Sequence, residues 1–211
     1  MDPEVILKNL ELEDLPLIAR VHIDSFPDSA LTKLGPAIVE LYYLWQLTGP
    51  HEKVQATGAF VAGDCAGFSF SGIFNGSTSG FIHQNKAFLI KAVLRHPQLL
   101  LNPLFLKRLS EGVRLLARFG KKKPASIGSE PRPALNYGIL SIAVSPQFQK
   151  LGIGQLLMLD AENEALKYGC REICLTVHPG NKKAVRFYER QDWQKFGPND
   201  LWSGAMTKTL K

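Results

Sequence analysis

The chain has 211 residues, 45% hydrophobic and 21% charged, the balance of a globular protein long enough to bury a sizeable core in one domain. Three cysteines, Cys65, Cys170 and Cys174, make neither a disulfide framework nor a zinc site, so reduced thiols and no metal are expected. No uncharged apolar run approaches the roughly 18–20 residues of a membrane span, and the acidic start Met1-Asp2-Pro3-Glu4 has no signal-peptide core, which predicts a cytoplasmic protein.

In chain order, Val5–Leu10 reads as a strand, and Glu13-Asp14 open a helix to about Ser25 with Leu15, Ile18 and Val21 at helical spacing. A second helix starts at Leu31 or at Pro36 and runs to about Leu47, apolar nearly all round. Ala59–Ala62 and Ala66–Ile73 form a hairpin about Gly63-Asp64, and Asn75–Gly80 is a Gly/Ser loop. Helical periodicity then runs from Asn85 to about Phe119, broken at His96-Pro97 and at Pro103, before a basic and Ser/Gly/Pro-rich connection over Gly120–Pro133. Tyr137–Val144 is a strand and Gly154–Tyr168 a helix, ended at Gly169. Ile173, Leu175 and Val177 alternate as a strand, and Asn181 caps a helix to about Gln191. Trp193–Phe196 and Leu201–Leu210 close the chain as strands. The order predicts an α/β (α+β) fold with at least one parallel crossover.

The net charge of +6 is unevenly spread. Ten Lys/Arg lie between Lys86 and Lys123 against the single acid Glu111, so that segment carries +9 and the remainder −3. A solvated helix face, a membrane-surface contact and a nucleic-acid contact all accommodate such a segment, although no base-stacking motif accompanies it and nucleic acid is the weaker fit.

Residues 139–154 are the most informative stretch. An apolar strand stops at Ser145-Pro146, and a basic turn, Gln149-Lys150-Leu151-Gly152-Ile153-Gly154, leads directly into a helix. Strand, glycine turn and helix start together aim backbone N–H groups and a positive helix end at one spot, which suits phosphate. The turn lacks the Gly-Lys-[Ser/Thr] ending of a P-loop and the third glycine of a dinucleotide loop.

Gln149-x-x-Gly152-x-Gly154, preceded by Ile142-Ala143-Val144, resembles the acetyl-coenzyme A loop of the GNAT (Gcn5-related N-acetyltransferase) superfamily. Downstream, Asn181-x-x-Ala184-x-x-Phe187-Tyr188-Glu189 resembles that superfamily's second signature, in the correct order. The family usually continues Leu-Gly-Phe where this chain has Gln191-Asp192-Trp193.

The resemblance implies a GNAT fold: a mixed sheet of about six to seven strands flanked by helices. It would be one domain over 1–211, with a basic helical insertion at 85–123 and an acetyl-coenzyme A-binding core over 137–211. It further implies that Ile142, Ala143 and Val144 bind the pantetheine arm and that Gln149, Lys150, Leu151, Gly152, Ile153 and Gly154 hold the pyrophosphate. Asn181 would contact pantetheine, and Tyr188 would stand beside the sulfur as general acid. Ser141 occupies the position of the usual acidic base, which leaves His178 as the first substitute, ahead of Asp24 and His83. The implied activity is acetyl transfer from acetyl-coenzyme A to a primary amine by direct attack in a ternary complex, in a monomer or homodimer. Phe26–Pro36 followed by Tyr42, Tyr43 and Trp45 resembles a bacterial subgroup in which a basic helical insertion follows the hairpin, and such an insertion suits either an anionic lipid surface or a phosphorylated acceptor such as a nucleotide-linked amino sugar. The alternatives are a coenzyme A-binding regulatory module without chemistry, and a membrane-surface or nucleic-acid protein built on 86–123.

Overall fold

Seven strands are built from the alternating segments: β1 (Val5–Asn9), β2 (Glu52–Val61), β3 (Asp64–Ile73), β4 (Tyr137–Val144), β5 (Glu172–Thr176), β6 (Gln194–Lys195) and β7 (Ala205–Thr209). They form one mixed sheet in the order β1-β2-β3-β4-β5-β7-β6. The computed structural model describes residues 4–74, 77–101, 106, 137–197 and 202–211. These fall into two compact units, one comprising 4–10, 51–74, 137–197 and 202–211, the other 11–50, 77–101 and 106.

The first unit contains the sheet. All neighbouring strands run antiparallel except β4 and β5, whose parallel ladder has only three pairs, Tyr137↔Ile173, Gly138↔Cys174 and Ile139↔Leu175. A parallel pair needs a crossover, and it is supplied by α6 (Ile153–Lys167). On its other side β4 stays paired with β3 as far as Gly67↔Val144. Phe70 faces Ser141 while Ser71 faces Ile139, so Leu140 is the extra residue of a β-bulge in β4. A bulge bends and twists its strand, and this one sits where the ladder to β5 ends.

α6 lies on the sheet through Ile153 and Leu157, which pack on Ala59, Val61 and Ala66. Thr57 Oγ1 donates to Asp160 Oδ2 at 2.6 Å beneath the same helix. The larger core joins Tyr137, Met158, Ile173, Met206 and Trp193 to Val185 and Tyr188 of α7 (Lys182–Glu189). Glu162, on α6, ties in the C-terminal hairpin: both of its oxygens accept from Lys208 Nζ, at 2.9 and 2.8 Å, and Oε1 also accepts from Trp193 Nε1 at 3.2 Å. None of the three cysteines is in a disulfide.

The first hairpin differs from expectation. Its turn is Ala62-Gly63, with φ of +50° and +90°, the left-handed pair a two-residue turn demands, and Asp64 already pairs with Val61. β2 also starts earlier, at Glu52 instead of Ala59. Its polar Gln55 and Thr57 hide the alternation because they satisfy each other: Gln55 Nε2 donates to Thr57 Oγ1 at 3.1 Å and to Asn9 Oδ1 at 2.9 Å. The C-terminal strands are shorter than the sequence suggests.

The second unit is helical. A 3-10 turn (Leu12–Asp14) precedes α1 (Leu15–Ser25); α2 (Ala30–Leu34) and α3 (Pro36–Thr48) follow, so both proposed helix starts exist, separated at Gly35. The Gly/Ser stretch expected as a loop enters α4 (Ser77–Gln84). Two contacts explain the helix: Phe81 is buried beside Ile38, and Gly80 lies so close to Trp45 that a Cβ there would stand 2.6 Å from its Cζ2. Next comes α5 (Lys86–Arg95), with the expected break at His96 and a 3-10 turn over Pro97–Leu101. The rest of the helical run to Phe119, apart from Leu106, and the Gly120–Pro133 connection lie outside the described residues.

Candidate active site

Leaving β4, the chain is anchored by Ser145 N–H donating to Ala66 O at 2.9 Å, then makes a 3-10 turn over Pro146–Phe148. Lys150 and Gly152 both have left-handed backbones, φ +72° and +73°. This alternation points successive N–H groups outward from the turn. Gln155 and Leu156 donate to Gly152 O. Among the described residues no backbone carbonyl accepts from the N–H groups of Leu151, Gly152, Ile153 or Gly154. The first turn of α6 contains no acid to neutralise its positive end. A Cβ added at Gly152 would meet nothing within 4 Å, so the face carrying these donors is open. Gln149 braces the turn, with Nε2 donating to Val144 O at 3.4 Å.

The second motif meets the first. Asn181 caps α7 through Oδ1, which accepts from Ala184 N–H at 3.2 Å. Phe187, two turns on, packs on Gly154: a Cβ there would lie 3.1 Å from Phe187 Cζ. Tyr188 is 8% exposed, its ring 5.3 Å from Phe187 and 6.1 Å from Trp193. Burial pushes its phenol up to about 12. The departure from the Leu-Gly-Phe pattern also has a structural reading. Asp192 adopts φ +65°, the conformation glycine would take at that turn, and Trp193 is buried with its indole N–H on Glu162.

Of the remaining sequence candidates, Ile142 and Val144 are half-buried and Ala143 is buried, all on β4 beyond the last β4–β5 pair. Ser141 is half-buried on the same stretch. His178 is exposed in the turn after β5, where Nδ1 accepts from Gly180 N–H at 3.1 Å. That bond occupies the lone pair of a neutral ring and leaves the ring proton on Nε2. Asp24 and His83 are exposed on α1 and α4.

Sequence reading overlooked His22 in the second unit. It is 5% exposed on α1, its Nδ1 2.8 Å from Tyr43 Oη and its Nε2 3.1 Å from Ser29 Oγ. Ser29 Oγ donates to Thr32 Oγ1, which donates to Phe26 O, so Ser29 accepts from His22 and the ring proton sits on Nε2. Burial lowers the imidazole to about 4. The available signal was a histidine on the apolar stripe of α1, one turn after Ile18. The same unit has an apolar hollow walled by Leu15, Leu41, Leu44 and Phe88, with Glu40 and Asn85 as its polar groups.

Comparison with known proteins agrees with this architecture. The model of the acetyltransferase (GNAT) family matches residues 100–193. The fold is similar to that of the PaiA N-acetyltransferase from Thermoplasma acidophilum in complex with coenzyme A, at 14% identity and a TM-score of 0.59 over 98% of this chain and 99% of that one. An N-acetyltransferase from Staphylococcus aureus Mu50 gives 13% identity and a TM-score of 0.58, with 99% of each chain covered. The ribosomal-protein-S18-alanine N-acetyltransferase from Escherichia coli gives 15% and 0.54, covering 98% of this chain and 93% of that one. No curated protein matches the chain by sequence. The seven-stranded mixed sheet and the crossover after β4 give the chain a GNAT fold, and its segment 100–193 is similar to the acetyltransferase (GNAT) family.

Proposed function

We propose that the protein transfers an acetyl group from acetyl-coenzyme A to a primary amine, with both units forming one acyltransferase domain, 85–123 as its insertion and 137–211 as its coenzyme A-binding core. One observation carries this reading. Four backbone N–H groups, Leu151 to Gly154, have no backbone acceptor among the described residues and lie at an unneutralised helix start, joined through Gly154 and Phe187 to the helix bearing Tyr188. A pyrophosphate is the ligand that such a donor set fits.

Acetyl-coenzyme A would supply an activated acyl carbon and a thiolate leaving group. In this reading the N–H groups of Leu151, Gly152, Ile153 and Gly154 hold the pyrophosphate, with Gln149 and Lys150 shaping the turn. Ile142, Ala143 and Val144 offer β4 past the end of its ladder with β5 as a strand-like support for the pantetheine arm, and Asn181 stands at the start of α7 facing that arm. Tyr188 keeps its phenolic proton throughout the physiological range because burial holds it near 12. An ordinary thiol is the stronger acid by roughly three pK units. Tyr188 therefore stabilises the departing sulfur by hydrogen bonding and relays to it a proton shed by the amine nitrogen after its lone pair has bonded to the acyl carbon. His178 could take that proton only by releasing Gly180 N–H. The acceptor is a small-molecule or protein amine, an amino sugar among the candidates, and the reaction belongs in the cytoplasm.

Ser141, at the position where an acidic base is usual, favours a second reading, a coenzyme A-binding module without turnover. Thiol release from acetyl-coenzyme A in the presence of a panel of amines separates the two. The acyltransferase reading expects amine-dependent release that Tyr188→Phe lowers by about 10²–10⁴ with coenzyme A affinity retained. Coenzyme A binding with no release on any amine would favour the module, and no binding at all would remove both.

A further inference from the structure

The outer face of α5 has the composition of a surface made for contact. Its inner residues are accounted for, since Ala92 is buried and Leu89 packs into the cluster of Ile38 and Phe81. The outer residues are not. Ile90 and Leu94, one turn apart, are 60% and 71% exposed. Lys86, Lys91 and Arg95 are exposed on the same helix, which contains no acid. Among the described residues no carboxylate forms a salt bridge with any of the three.

We propose that this face of α5 docks on an anionic lipid bilayer, with Ile90 and Leu94 entering the headgroup–acyl boundary and Lys86, Lys91 and Arg95 lying on the lipid phosphates. Charge complementarity chooses the partner. The helix opens the segment of the chain that carries +9 between Lys86 and Lys123, and clustered cations concentrate a protein at a negatively charged surface. The aliphatic row chooses lipid over nucleic acid. A phosphate backbone pairs with the three cations and leaves Ile90 and Leu94 in water, whereas a bilayer buries them while lysine and arginine stems reach back to the headgroups. Among the described residues no helix is long and apolar enough to cross a membrane, so the contact is peripheral and reversible. This inference stands independently of the acyl-transfer reading.

The test is co-sedimentation of the full chain with vesicles of phosphatidylcholine alone, and of phosphatidylcholine with phosphatidylglycerol. Binding is expected only to the anionic vesicles and should weaken sharply on going from about 0.1 to about 0.5 M salt, as screening demands. K86Q/K91Q/R95Q should reduce partitioning about 100-fold, at roughly fivefold per cation. I90S/L94S should reduce it at least about 10-fold, because two apolar side chains lose their burial. These positions are exposed, and unchanged circular dichroism and melting temperature will verify that the variants fold. Equal binding to both vesicles, salt-independent binding, or no binding by the wild type would overturn the proposal whatever the variants do. Full retention by I90S/L94S would also overturn it, reducing the face to a cationic patch. Tighter, salt-sensitive binding to a DNA duplex that I90S/L94S leaves unchanged would assign the face to nucleic acid instead.

Discussion

Protonation of His22 should unlock the second unit. The folded protein holds the ring neutral, with Nδ1 accepting from Tyr43 Oη and Nε2–H donating to Ser29 Oγ. A second ring proton on Nδ1 would confront the Tyr43 hydroxyl donor inside a site only 5% exposed. Burial lowers the imidazole from 6.5 to about 4. A depressed histidine pKa means that the unfolded chain binds the proton first. Stability from this group is therefore complete above pH 6.5, falls as pH drops from 6.5 to about 4, and is flat below that. At 1.36 kcal/mol per pK unit, the loss amounts to about 3 kcal/mol, a large share of the few to fifteen kcal/mol (about 5–15) of a typical domain. The assay is urea unfolding at intervals between pH 7 and 4, run in parallel on the wild type and on His22→Gln, whose amide retains hydrogen-bonding groups but does not titrate. The wild type should lose about 3 kcal/mol more than the variant over that interval. The reasoning is refuted if the two pH profiles are superimposable, or if the His22 Cε1–H resonance titrates at or above 6.5, the ordinary histidine value.

Three further outcomes are expected. Lys208→Met leaves the Glu162 carboxylate, 9% exposed, without its cation and should cost about 3–5 kcal/mol in chemical denaturation, most of which should return when Glu162→Gln is added, since the neutral amide keeps an acceptor for the Trp193 indole N–H. Asp192→Gly should raise stability by about 1 kcal/mol, since Asp192 sits at φ +65° where glycine carries no steric penalty; a loss would mean that the aspartate side chain secures the turn. Gly152→Ala meets no atom within 4 Å but must hold φ +73°, so it should cost only about 1 kcal/mol of stability. It should nevertheless weaken coenzyme A binding in calorimetry by at least about 10-fold if the Leu151–Gly154 N–H groups are the cradle; unchanged affinity would place the pyrophosphate elsewhere.

The parts of the fold that were legible are those with a local physical signature. Asn181 was readable as a cap because a carboxamide before a helix accepts from the backbone three residues on, as it does from Ala184 N–H. Gly152 was readable as part of a glycine turn between a strand and a helix, where the structure gives it φ +73°. β2 was misjudged because Gln55 donates to Asn9 on the neighbouring strand and Thr57 to Asp160 on α6, tertiary facts that a polar string conceals. α4 was missed because Gly80 looks like a loop residue, whereas here it makes room for the Trp45 ring. His22 went unnoticed because its partners, Ser29 and Tyr43, lie 7 and 21 residues away. The bulge at Leu140 was invisible, since register belongs to the pairing of β3 with β4 and to neither strand alone.

That bulge bears most directly on the site. β4 and β5 form the sheet's one parallel pair, so their C-terminal ends point the same way, and the helices that follow them, α6 and α7, both begin at that end of the sheet. Two helix starts are thereby brought to one place by topology, although the motifs that mark them are 27 residues apart between Gly154 and Asn181. A third ladder pair followed immediately by an extra residue in β4 separates the two strands at that same end. Ligands of open α/β sheets settle where strands part company at their carboxyl ends. Packing of Phe187 on Gly154 then fixes how close the two helices come, and with it the distance between the open N–H groups and the Tyr188 hydroxyl. A bulky residue at 154 would move both groups at once, which is why the glycine of the first motif and the aromatic pair of the second act as one structural unit.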